Sequence, residues 1–504
     1  MKILKAKQIR EADNFTIINE PISSIDLMER ASEACVNWIV NRYNSSSHFD
    51  VFCGTGNNGG DGLAIARLLI QQKYSVTCFI VKFSENESND FKTNFNRLKQ
   101  TNCNVQVIQT ENGIPNLTEE NVIIDAIFGT GLTRPVEGFT AQLIKKINSL
   151  SREVISIDIP SGLFCEDNSQ NSKNAIIEAT HTLSFQVGKL AFVLPENEQF
   201  CGKWDILPIG LNDEFIASLD SPYSLITEEI IKKKLNPRSK FSHKGTYGHA
   251  LIVAGSEGKM GASVLATSAC LRSGVGLATA YIPQCGINIL QTAVPEAMAI
   301  ENIGEDCLNG EFENDKNLTI GIGPGIGTNA STVDFVQSVF ENSNSPIVID
   351  ADALNIISKN KKLLSLLPKE SILTPHPKEF KRLVGNFDND TKKLEKLIAF
   401  SKEFSLYVVL KGANTAIACP NGEVFFNTTG NPGMATGGSG DILTGLITGL
   451  LAQKYTSKNA TLLGVYLHGL AGDIAVKEIS EEALIAGDLV SSIGKAYLQL
   501  ESTK

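Results

Sequence analysis

The stretch GNPGMATGGSGD at 430–441 combines the residue types that phosphoryl transfer requires. Gly437, Gly438 and Gly440 leave the backbone unhindered, and the apolar helix predicted to follow would point its N-terminal amides at a bound anion. Asp441, at the start of that helix, can take a proton from an attacking hydroxyl or can simply cap the helix. No lysine follows the glycines, so the stretch is not a Walker A loop.

Other loops of the second half of the chain carry groups that suit the same chemistry. KGANT at 411–415 ends a predicted buried strand with a cation and small residues, which suits nucleotide phosphates or ribose. His376 lies between two prolines, hence on a rigid loop, and is either a ligand or a structural residue. Asp350 and Asp352, in VIDADALN, orient magnesium or cap a helix, and the sequence leaves both readings open.

The first half of the chain contains a glycine pattern of its own. Gly54, Gly56 and Gly59 satisfy G-x-G-x-x-G between a predicted strand and a predicted helix. That context suits a phosphate at a helix N-terminus, although a tight turn without a ligand would need some of the same glycines. The second strand ends in Val81-Lys82-Phe83 and lacks the acid of a dinucleotide fold, so NAD bound in the standard pose is not predicted.

Two aspartates come late in predicted strands of this half. Asp125 begins DAIFGTGLTRP and Asp158 begins DIPSG, at the strand ends where open α/β sheets bind ligands. A buried aspartate is costly unless it is paired, caps a turn or binds a cation. Asn58, Asp125 and Ser161 offer hard oxygen ligands from three loops, which suits a monovalent or divalent cation.

The elements that position these groups alternate between short apolar strands and helical segments. Two helices are predicted within 5–42, with a turn at Pro21 to Ser24, and two more at about 441–453 and 459–474. Strands are predicted at 51–53, 75–81, 122–128, 154–159, 181–187, 249–256, 277–283, 318–323, 346–351, 371–375 and 406–412. A hairpin over 415–426 would turn on Asn421-Gly422. The pattern predicts two α/β units with parallel sheets covered on both faces.

A stretch of weak periodicity separates the two halves. Residues 212–246 carry a run of positive charge and a proline, which predicts a solvated linker. We place the domain boundary near 225, which gives domains at 1–225 and 226–504.

The bulk composition narrows the class of protein. A formal net charge of −10 argues against a general nucleic-acid binder. The ten cysteines never form C-x-x-C, so we expect free thiols in a reducing compartment and no zinc site. The N-terminus turns polar too soon for a signal peptide, and no apolar stretch is long enough for a membrane span. We therefore expect a cytoplasmic protein.

Three motifs of the first half, GTGNNGGDG, DAIFGTGLTRP and IDIPSG, resemble the NAD(P)H-hydrate epimerase family over most of residues 1–215. The resemblance implies a Rossmann-like three-layer sandwich that interconverts the R and S forms of hydrated NADH or NADPH. Asp158 would contact substrate and is the best acid–base candidate on chemical grounds. Potassium would be held by Asn58, Asp125 and Ser161. The other implied substrate residues are Asn57, Asn58, Gly59, Gly60, Asp61, Gly129, Thr130, Gly131, Leu132, Thr133, Arg134 and Pro135.

Six motifs of the second half resemble the ADP-dependent NAD(P)H-hydrate dehydratase family over roughly 225–500. They are HKGTYGHALIVAGS, IGPGIG, DADALN, TPHPKE, KGANT and GNPGMATGGSGDILTG. The resemblance implies a ribokinase-like fold. Its implied substrate contacts are Ala262, Gly325, His376 and Asp441, and its implied nucleotide contacts are Lys411, Gly412, Ala413, Asn414, Thr415 and Gly440. Asp441 would activate the ring hydroxyl, which takes phosphate from ADP; phosphate then leaves, giving NAD(P)H, AMP and phosphate, with magnesium accompanying the nucleotide.

The two implied activities complement each other, because a dehydratase selective for one epimer needs a partner that converts the other. The fused arrangement resembles bacterial members and favours ADP over ATP. We expect hydrated NADH or NADPH and ADP as partners, a homo-oligomer, and neither nucleic acid nor membrane. A small-alcohol kinase would share the second fold but would leave the first half unexplained. A nucleotide-binding regulator with a dead active site would not need Asn58, Asp158, His376 and Asp441 together.

Overall fold

The computed structural model describes residues 1–117, 120–313 and 318–501. The chain divides into two compact units, Met1–Tyr223 and Ser224–Lys504. Each unit is built on its own sheet with helices packed against it, so the predicted α/β class with two domains is confirmed. Among the helices of the described residues, none combines the length and the apolar character that crossing a bilayer requires.

The sheet of the first unit has seven strands, and every recorded pairing between them is parallel. The strands are β1 His48–Cys53, β2 Ser75–Val81, β3 Asn104–Ile108, β4 Val122–Ala126, β5 Val154–Ile157, β6 His181–Phe185 and β7 Lys203–Leu207. Their order is β3-β2-β1-β4-β5-β6-β7, so the direction of winding reverses between β1 and β4. Open α/β sheets bind ligands at the carboxyl ends of the strands beside such a reversal.

Eight helices of the described residues accompany this sheet. They are α1 Ala6–Asn19, α2 Ser24–Val40, α3 Asn57–Gln71, α4 Asn89–Leu98, α5 Gly138–Asn148, α6 Leu190–Val193, α7 Glu198–Cys201 and α8 Asp213–Ser218. Helix α1 buries Ile9, Ala12 and Thr16, which fall on one face at helical spacing. Helix α2 begins where the Ser23 side chain accepts a hydrogen bond from the amide of Asp26.

The sheet of the second unit has ten strands in the order β11-β10-β9-β12-β13-β14-β15-β16-β17-β8. The strands are β8 Tyr223–Leu225, β9 His249–Val253, β10 Leu277–Ile282, β11 Met298–Glu301, β12 Thr319–Ile322, β13 Val348–Ile349, β14 Ile372–Leu373, β15 Tyr407–Leu410, β16 Ala416–Ala418 and β17 Val424–Phe426. The run from β11 to β15 is parallel, and β15, β16 and β17 pair antiparallel. The predicted hairpin at Asn421-Gly422 is therefore confirmed as β16–β17.

Ten helices of the described residues belong to this unit. They are α9 Glu228–Lys232, α10 Met260–Arg272, α11 Ile287–Ala293, α12 Ala330–Glu341, α13 Ala351–Lys359, α14 Pro377–Val384, α15 Asp390–Phe404, α16 Ser439–Ala452, α17 Ser457–Ala475 and α18 Ala486–Glu501. Helix α16 packs directly on the backbone of α10. A Cβ atom at Gly445 would lie 2.0 Å from the carbonyl oxygen of Ala266, and one at Gly449 would lie 2.1 Å from Ser273 Oγ.

Two expectations about local structure are wrong. Residues 213–232 of the predicted linker at 212–246 are largely ordered as α8, β8 and α9, because Ile216, Leu225 and Ile231 anchor these short elements in the core. Lys232 and Lys233 instead pair with Glu228 and Glu229 along α9. The segment from Asn57 to Asp61, predicted as a loop, forms the first turns of α3.

Candidate active sites

A cavity of about 790 Å³ opens at the carboxyl ends of the strands in the first unit. The start of α3 contributes Asn57 and Asn58, the segment after β4 contributes the residues from Gly129 to Val136 other than Thr133, and Asp158 follows β5. Helix α1 adds Arg10 and Asp13 from a part of the chain that the motifs do not cover. The cavity therefore lies where the sheet order predicts a ligand site.

Asp158 is held in a fixed position within this cavity. Its backbone adopts φ +67°, a left-handed conformation that is uncommon for residues other than glycine and less so for aspartate. Asp158 Oδ1 lies 2.8 Å from Lys189 Nζ, and Oδ2 accepts a hydrogen bond of 3.4 Å from the amide of Thr130. Lys189 is only 1% exposed and also donates to Ser184 Oγ. The ion pair therefore orients the Asp158 carboxylate toward the cavity without hiding it.

Asp13 and Asp61 add two more carboxyl groups near Asp158. Burial, followed by the Asp158 charge, raises the pKa of Asp13 to about 7, against the opposing effect of Lys189. Burial chiefly raises the pKa of Asp61 well above its ordinary value, with further contributions from Asp158 and Asp13. The site therefore combines one ion-paired carboxylate with two carboxyl groups whose pKa values are raised.

Oxygen atoms cluster beside the cavity around the fully buried Asp125. Its Oδ2 accepts hydrogen bonds of 2.8 Å from the amide of Ser161 and from Ser156 Oγ, and its Oδ1 accepts one of 2.5 Å from Ser161 Oγ. Burial raises the pKa of Asp125, and these hydrogen bonds oppose the rise. Asn58 donates from Nδ2 to the carbonyl of Phe128 at 3.0 Å, while its buried Oδ1 has no hydrogen-bond partner among the described residues.

The predicted substrate residues of the first unit separate into two groups. Asn57, Asn58, Asp158 and the residues from Gly129 to Pro135, with the exception of Thr133, line the cavity. Gly59, Gly60 and Asp61 are buried behind it and do not line it. A Cβ atom at Gly59 would lie 1.8 Å from the carbonyl oxygen of Gly54, so close packing alone accounts for this glycine. A ligand role for the three buried residues stays a prediction.

The second unit places Asp441 in the first turn of α16, next to an ion pair. Lys411 Nζ lies 2.8 Å from Asp350 Oδ1, and Thr444 Oγ1 donates a hydrogen bond of 2.9 Å to Asp350 Oδ2. Burial, followed by the Asp350 charge, raises the pKa of Asp441 to about 7, although Lys411 lowers it. A Cβ atom at Gly440 would lie 3.3 Å from Lys411 Nζ. The predicted catalytic aspartate, the glycine loop and the predicted nucleotide lysine therefore lie together.

The rest of the KGANT loop is accessible to a ligand. Gly412 and Ala413 are exposed, and Asn414 and Thr415 are half-buried. Thr415 Oγ1 donates to the carbonyl of Gly412 at 3.0 Å, which closes the loop on itself. The amide of Lys411 donates to the carbonyl of Pro375, so this loop lies beside the one that carries His376.

His376 forms the N-cap of α14. Its Nδ1 accepts hydrogen bonds from the amides of Lys378 and Glu379 at 3.1 and 3.4 Å, and the His376 amide donates one of 2.8 Å to the Glu379 carboxylate. Burial, followed by Lys411 and Arg382, lowers the pKa of His376, so the ring is neutral at pH 7. His376 therefore has a structural task, and contact of its Nε2 edge with substrate stays a prediction.

The two small residues predicted to contact substrate lie together. A Cβ atom at Gly325, where φ is +64°, would approach the Cβ atom of Ala262 to 3.0 Å. Asp352 Oδ2 accepts a hydrogen bond of 2.9 Å from the amide of Gly327 and fixes the same loop. Asp350 occupies the N-cap position of α13, but its side chain forms the Lys411 pair and makes no capping hydrogen bond. Helix capping by its side chain is therefore excluded.

Comparisons with known proteins cover both units. The family described as "YjeF-related protein N-terminus" matches residues 24–191, and the family described as "NAD(P)H-hydrate dehydratase" matches residues 250–495. The bifunctional NAD(P)H-hydrate repair enzyme of Moorella thermoacetica is 34% identical over 99% of this chain and 97% of its own. Those of Thermofilum pendens and Escherichia coli K12 are 31% identical, over 99% and 93% of this chain and 97% and 88% of theirs. The chain belongs to this family of bifunctional repair enzymes.

Solved structures similar to the dehydratase part of the repair-enzyme chain include one from Bacillus subtilis. That ADP/ATP-dependent NAD(P)H-hydrate dehydratase, co-crystallised with ATP and Mg²⁺, is 33% identical, with a TM-score of 0.48. It covers 55% of this chain and 98% of its own. A ribokinase-like superfamily protein from Enterococcus faecalis V583 is 26% identical, covers 56% of this chain and 98% of its own, and has a TM-score of 0.49.

Three residues of the repair enzyme's sites are absent from the sequence-based prediction. Asp13 lines the first cavity, Lys189 pairs with Asp158, and Thr444 bonds to Asp350. Asp13 carries a detectable signal, because it shares helical spacing with Ile9 and Thr16 on an apolar face. A charged residue on such a face indicates a task in the fold or in a site.

Proposed function

We propose that this chain repairs hydrated NADH and NADPH in two steps. The first unit epimerises the R and S forms, and the second dehydrates the S form with ADP and releases AMP and phosphate. Membership of the repair-enzyme family supports both activities. The observation that carries the proposal is the position of Asp441, a carboxyl group with a pKa of about 7 beside Lys411 at a glycine-rich helix start.

In the dehydratase step, Asp441 accepts the proton of the ring hydroxyl, whose oxygen attacks the terminal phosphorus of ADP as AMP leaves. The Lys411 ammonium and the amides at the start of α16 stabilise charge on the transferred group. Phosphate then departs with the ring oxygen, while a proton leaves the neighbouring ring carbon and the double bond returns. This outcome needs the carboxylate form of Asp441 and an adjacent cation. A pKa of about 7 for Asp441 and the position of Lys411 support both requirements.

In the proposed epimerase step, Asp158 exchanges a proton with the oxygen bound to the hydrated ring carbon. The Lys189 pair keeps Asp158 oriented, and the cavity of about 790 Å³ is large enough for a nicotinamide ring with part of its ribose. Potassium is proposed to bind at Asn58, Asp125 and Ser161. The buried, unpartnered Asn58 Oδ1 supports this, because such an atom is costly without a partner and a hard cation prefers oxygen. When bound, the ion would supply a fixed positive charge beside the substrate.

Magnesium is proposed to accompany the adenine nucleotide. Asp350 already engages Lys411 and Thr444, and Asp352 engages the amide of Gly327. We therefore expect the phosphates and water, rather than these carboxylates, to hold most of the ion's ligand positions.

A mixture of the R and S forms of hydrated NADH, abbreviated NADHX, tests the proposal directly. It is incubated with the purified full-length protein, ADP, Mg²⁺ and K⁺. We expect full recovery of NADH absorbance in wild type and none above the uncatalysed rate in Asp441→Asn. Recovery that stops at the S fraction would remove the epimerase activity from the proposal. If NADH recovery does not depend on ADP, the dehydratase activity is removed from the proposal. Small alcohols would then be screened as phosphoryl acceptors.

A cytoplasmic location and a homo-oligomeric state complete the proposal. The ten cysteines are free, which suits a reducing compartment. Met298 and Ile300 are exposed on the edge strand β11, and exposed apolar residues on a strand edge favour pairing with another copy. Light scattering after size-exclusion chromatography measures the oligomeric state, and a monomer at micromolar concentration would contradict this part of the proposal.

A further inference from the structure

The proposed function does not explain why α1 carries an aspartate at position 13. Asp13 lies four residues after Ile9 and three before Thr16, on the face of the helix that also buries Ala12. A carboxyl group on this face loses part of its hydration, which is costly unless the group has a partner or a task. Asp13 lines the same cavity as Asp158, although the two come from opposite ends of the unit's sequence.

The two carboxyl groups have different partners. Asp158 pairs with Lys189 at 2.8 Å, whereas the Asp13 carboxyl has no hydrogen bond or salt bridge to any group of residues 1–117, 120–313 and 318–501. The contrast leaves Asp13 available to a ligand in the cavity. Its neighbour on the exposed side of the same helix, Glu11, lies 3.8 Å from Lys7 and does not line the cavity.

We propose that Asp13 is the second acid–base residue of the epimerase site and works as a pair with Asp158. The inference rests on the epimerase activity proposed above and assigns it a further catalytic residue. Inversion at a carbon atom requires an acid for the leaving group and a base for the entering group, and the two groups occupy opposite faces of the carbon. Residues on different elements, such as Asp13 and Asp158, can reach the two faces.

The charges around Asp13 favour this division of roles. Burial and the Asp158 charge raise the pKa of Asp13 to about 7, with Lys189 acting in the opposite direction. Asp61 of α3 is buried, and burial raises its pKa well above the ordinary value. The other charged residues that line the cavity are Arg10, Arg134 and Glu137. Asp13 therefore carries a proton for much of the time at neutral pH, while Asp158 is ion-paired as an acceptor.

The proposed step exchanges one hydroxyl for another at the ring carbon next to the ring nitrogen. In the R-to-S direction, Asp13 protonates the hydroxyl, the C–O bond breaks, water leaves with the bonding electrons, and the nitrogen lone pair forms an iminium. Asp158 then takes a proton from a water that attacks the opposite face, and the iminium electrons return to nitrogen as the new C–O bond forms. Each R-to-S conversion thus moves one proton from Asp13 to Asp158, and the S-to-R direction exchanges the two roles.

Asp13→Asn tests the proposal, with Glu11→Gln as the matched control on the same helix. Purified R-NADHX is supplied to the full chain with ADP, Mg²⁺ and K⁺, and NADH formation then reports epimerisation. We expect Asp13→Asn to lower this rate by about 10²–10⁴-fold, while dehydration of S-NADHX and the unfolding midpoint stay at wild-type values. Glu11→Gln should retain the wild-type rate. In wild type, the rate should fall as pH rises above about 7, and this fall should be absent from the residual activity of Asp13→Asn.

A second measurement follows the oxygen atom. Wild type and R-NADHX in ¹⁸O-labelled water without ADP should yield S-NADHX with ¹⁸O at the ring hydroxyl, faster than the uncatalysed exchange. Unlabelled S-NADHX would overturn the scheme, as would a wild-type rate and pH profile in Asp13→Asn. If wild type itself does not accelerate the conversion of R-NADHX, the epimerase activity is refuted, which is distinct from failure of the Asp13 assignment alone.

Discussion

Lys411 and Asp350 form an ion pair at the start of α16, and Thr444 from that helix fixes the carboxylate by a hydrogen bond to its second oxygen. The pair joins the end of β15, the start of α13 and the first turns of α16 at one point. In the proposed dehydratase step, Asp350 would be a positioning residue that acts on the phosphoryl group only through Lys411.

Asp350→Asn should impair the use of ADP without disrupting the fold. The amide keeps the shape but loses the charge that holds Lys411, and a hydrogen bond to a charged group contributes about 1.5–3 kcal/mol. We expect kcat/KM for ADP to fall about 10- to 100-fold. Steady-state kinetics with S-NADHX measure this, with Asp334→Asn on the exposed face of α12 as the control. An unchanged kcat/KM for ADP would show that Lys411 needs no anchor.

The dehydratase rate should follow the ionisation of Asp441. A base acts in its charged form, and burial together with Asp350 raises the pKa of this group to about 7. The rate should therefore rise with pH through about 7 and level off above. In Asp350→Asn, loss of the neighbouring negative charge should move this rise to lower pH. A profile that falls through the same range would contradict the role of Asp441 as a base.

Potassium should stabilise the first unit through Asn58. The ion would give the unpartnered, buried Asn58 Oδ1 its missing contact. We expect a higher unfolding temperature in potassium chloride than in choline chloride of equal ionic strength, and no such difference in Asn58→Ala. Asn41→Ala, an exposed asparagine just after α2, serves as the control. Equal unfolding temperatures of wild type in both salts would exclude the site.

The glycines of the first loop should differ in their tolerance of alanine. A Cβ atom at Gly59 would lie 1.8 Å from the carbonyl oxygen of Gly54, whereas one at Gly56 would meet nothing within 4 Å. We expect Gly59→Ala to destabilise the first unit by about 1–3 kcal/mol or more and Gly56→Ala to fold normally. Both tryptophans, Trp38 and Trp204, belong to this unit, so their fluorescence during denaturation reports its unfolding selectively. Equal midpoints for the two variants would contradict the packing argument.

A buried ion pair away from the site should dominate the stability of the first unit. The Arg152 side chain is fully buried and lies 3.0 Å from Asp50, which is 5% exposed. Arg152→Ala leaves the Asp50 carboxylate without its cation, which should cost about 3–5 kcal/mol in the free energy of unfolding. Arg42→Ala, at a half-exposed pair with Asp205, should cost no more than about 1–2 kcal/mol. Tryptophan fluorescence in urea measures both, and similar costs would refute the distinction.

The sequence predicts the sheets of both units well, because parallel strands that are buried on both faces read as continuous apolar runs. SVTCFIV matches β2 exactly, whereas PIVIDA shrinks to the two residues of β13. The strand ends are less predictable, because apolar residues continue into turns after the pairing stops. The linker prediction fails over residues 213–232 because single buried residues such as Ile216 and Ile231 anchor elements too short to show periodicity.

The motifs locate the candidate sites, but not every residue in them. Asp158, Asp441 and Lys411 are found because they stand at strand or helix ends beside glycines. Asp13 and Lys189 are not predicted from the sequence because both lie outside the motifs. Asp13 reaches the site through the packing of α1, and Lys189 through the packing of the segment after β6. Long-range packing of this kind is not encoded in local spacing.

The close packing at Gly445 and Gly449 should restrict how this chain can evolve. Neither position is part of a predicted ligand contact, yet a single added carbon atom at either would collide with α10. In a library of random variants, these two codons should be among the least tolerant, alongside that of Asp441 itself. Because α16, which carries the proposed base Asp441, is packed this closely against α10, new substrate preferences should arise from changes at Gly412 and Ala413. Both lie in an exposed loop, where substitutions should destabilise the fold least.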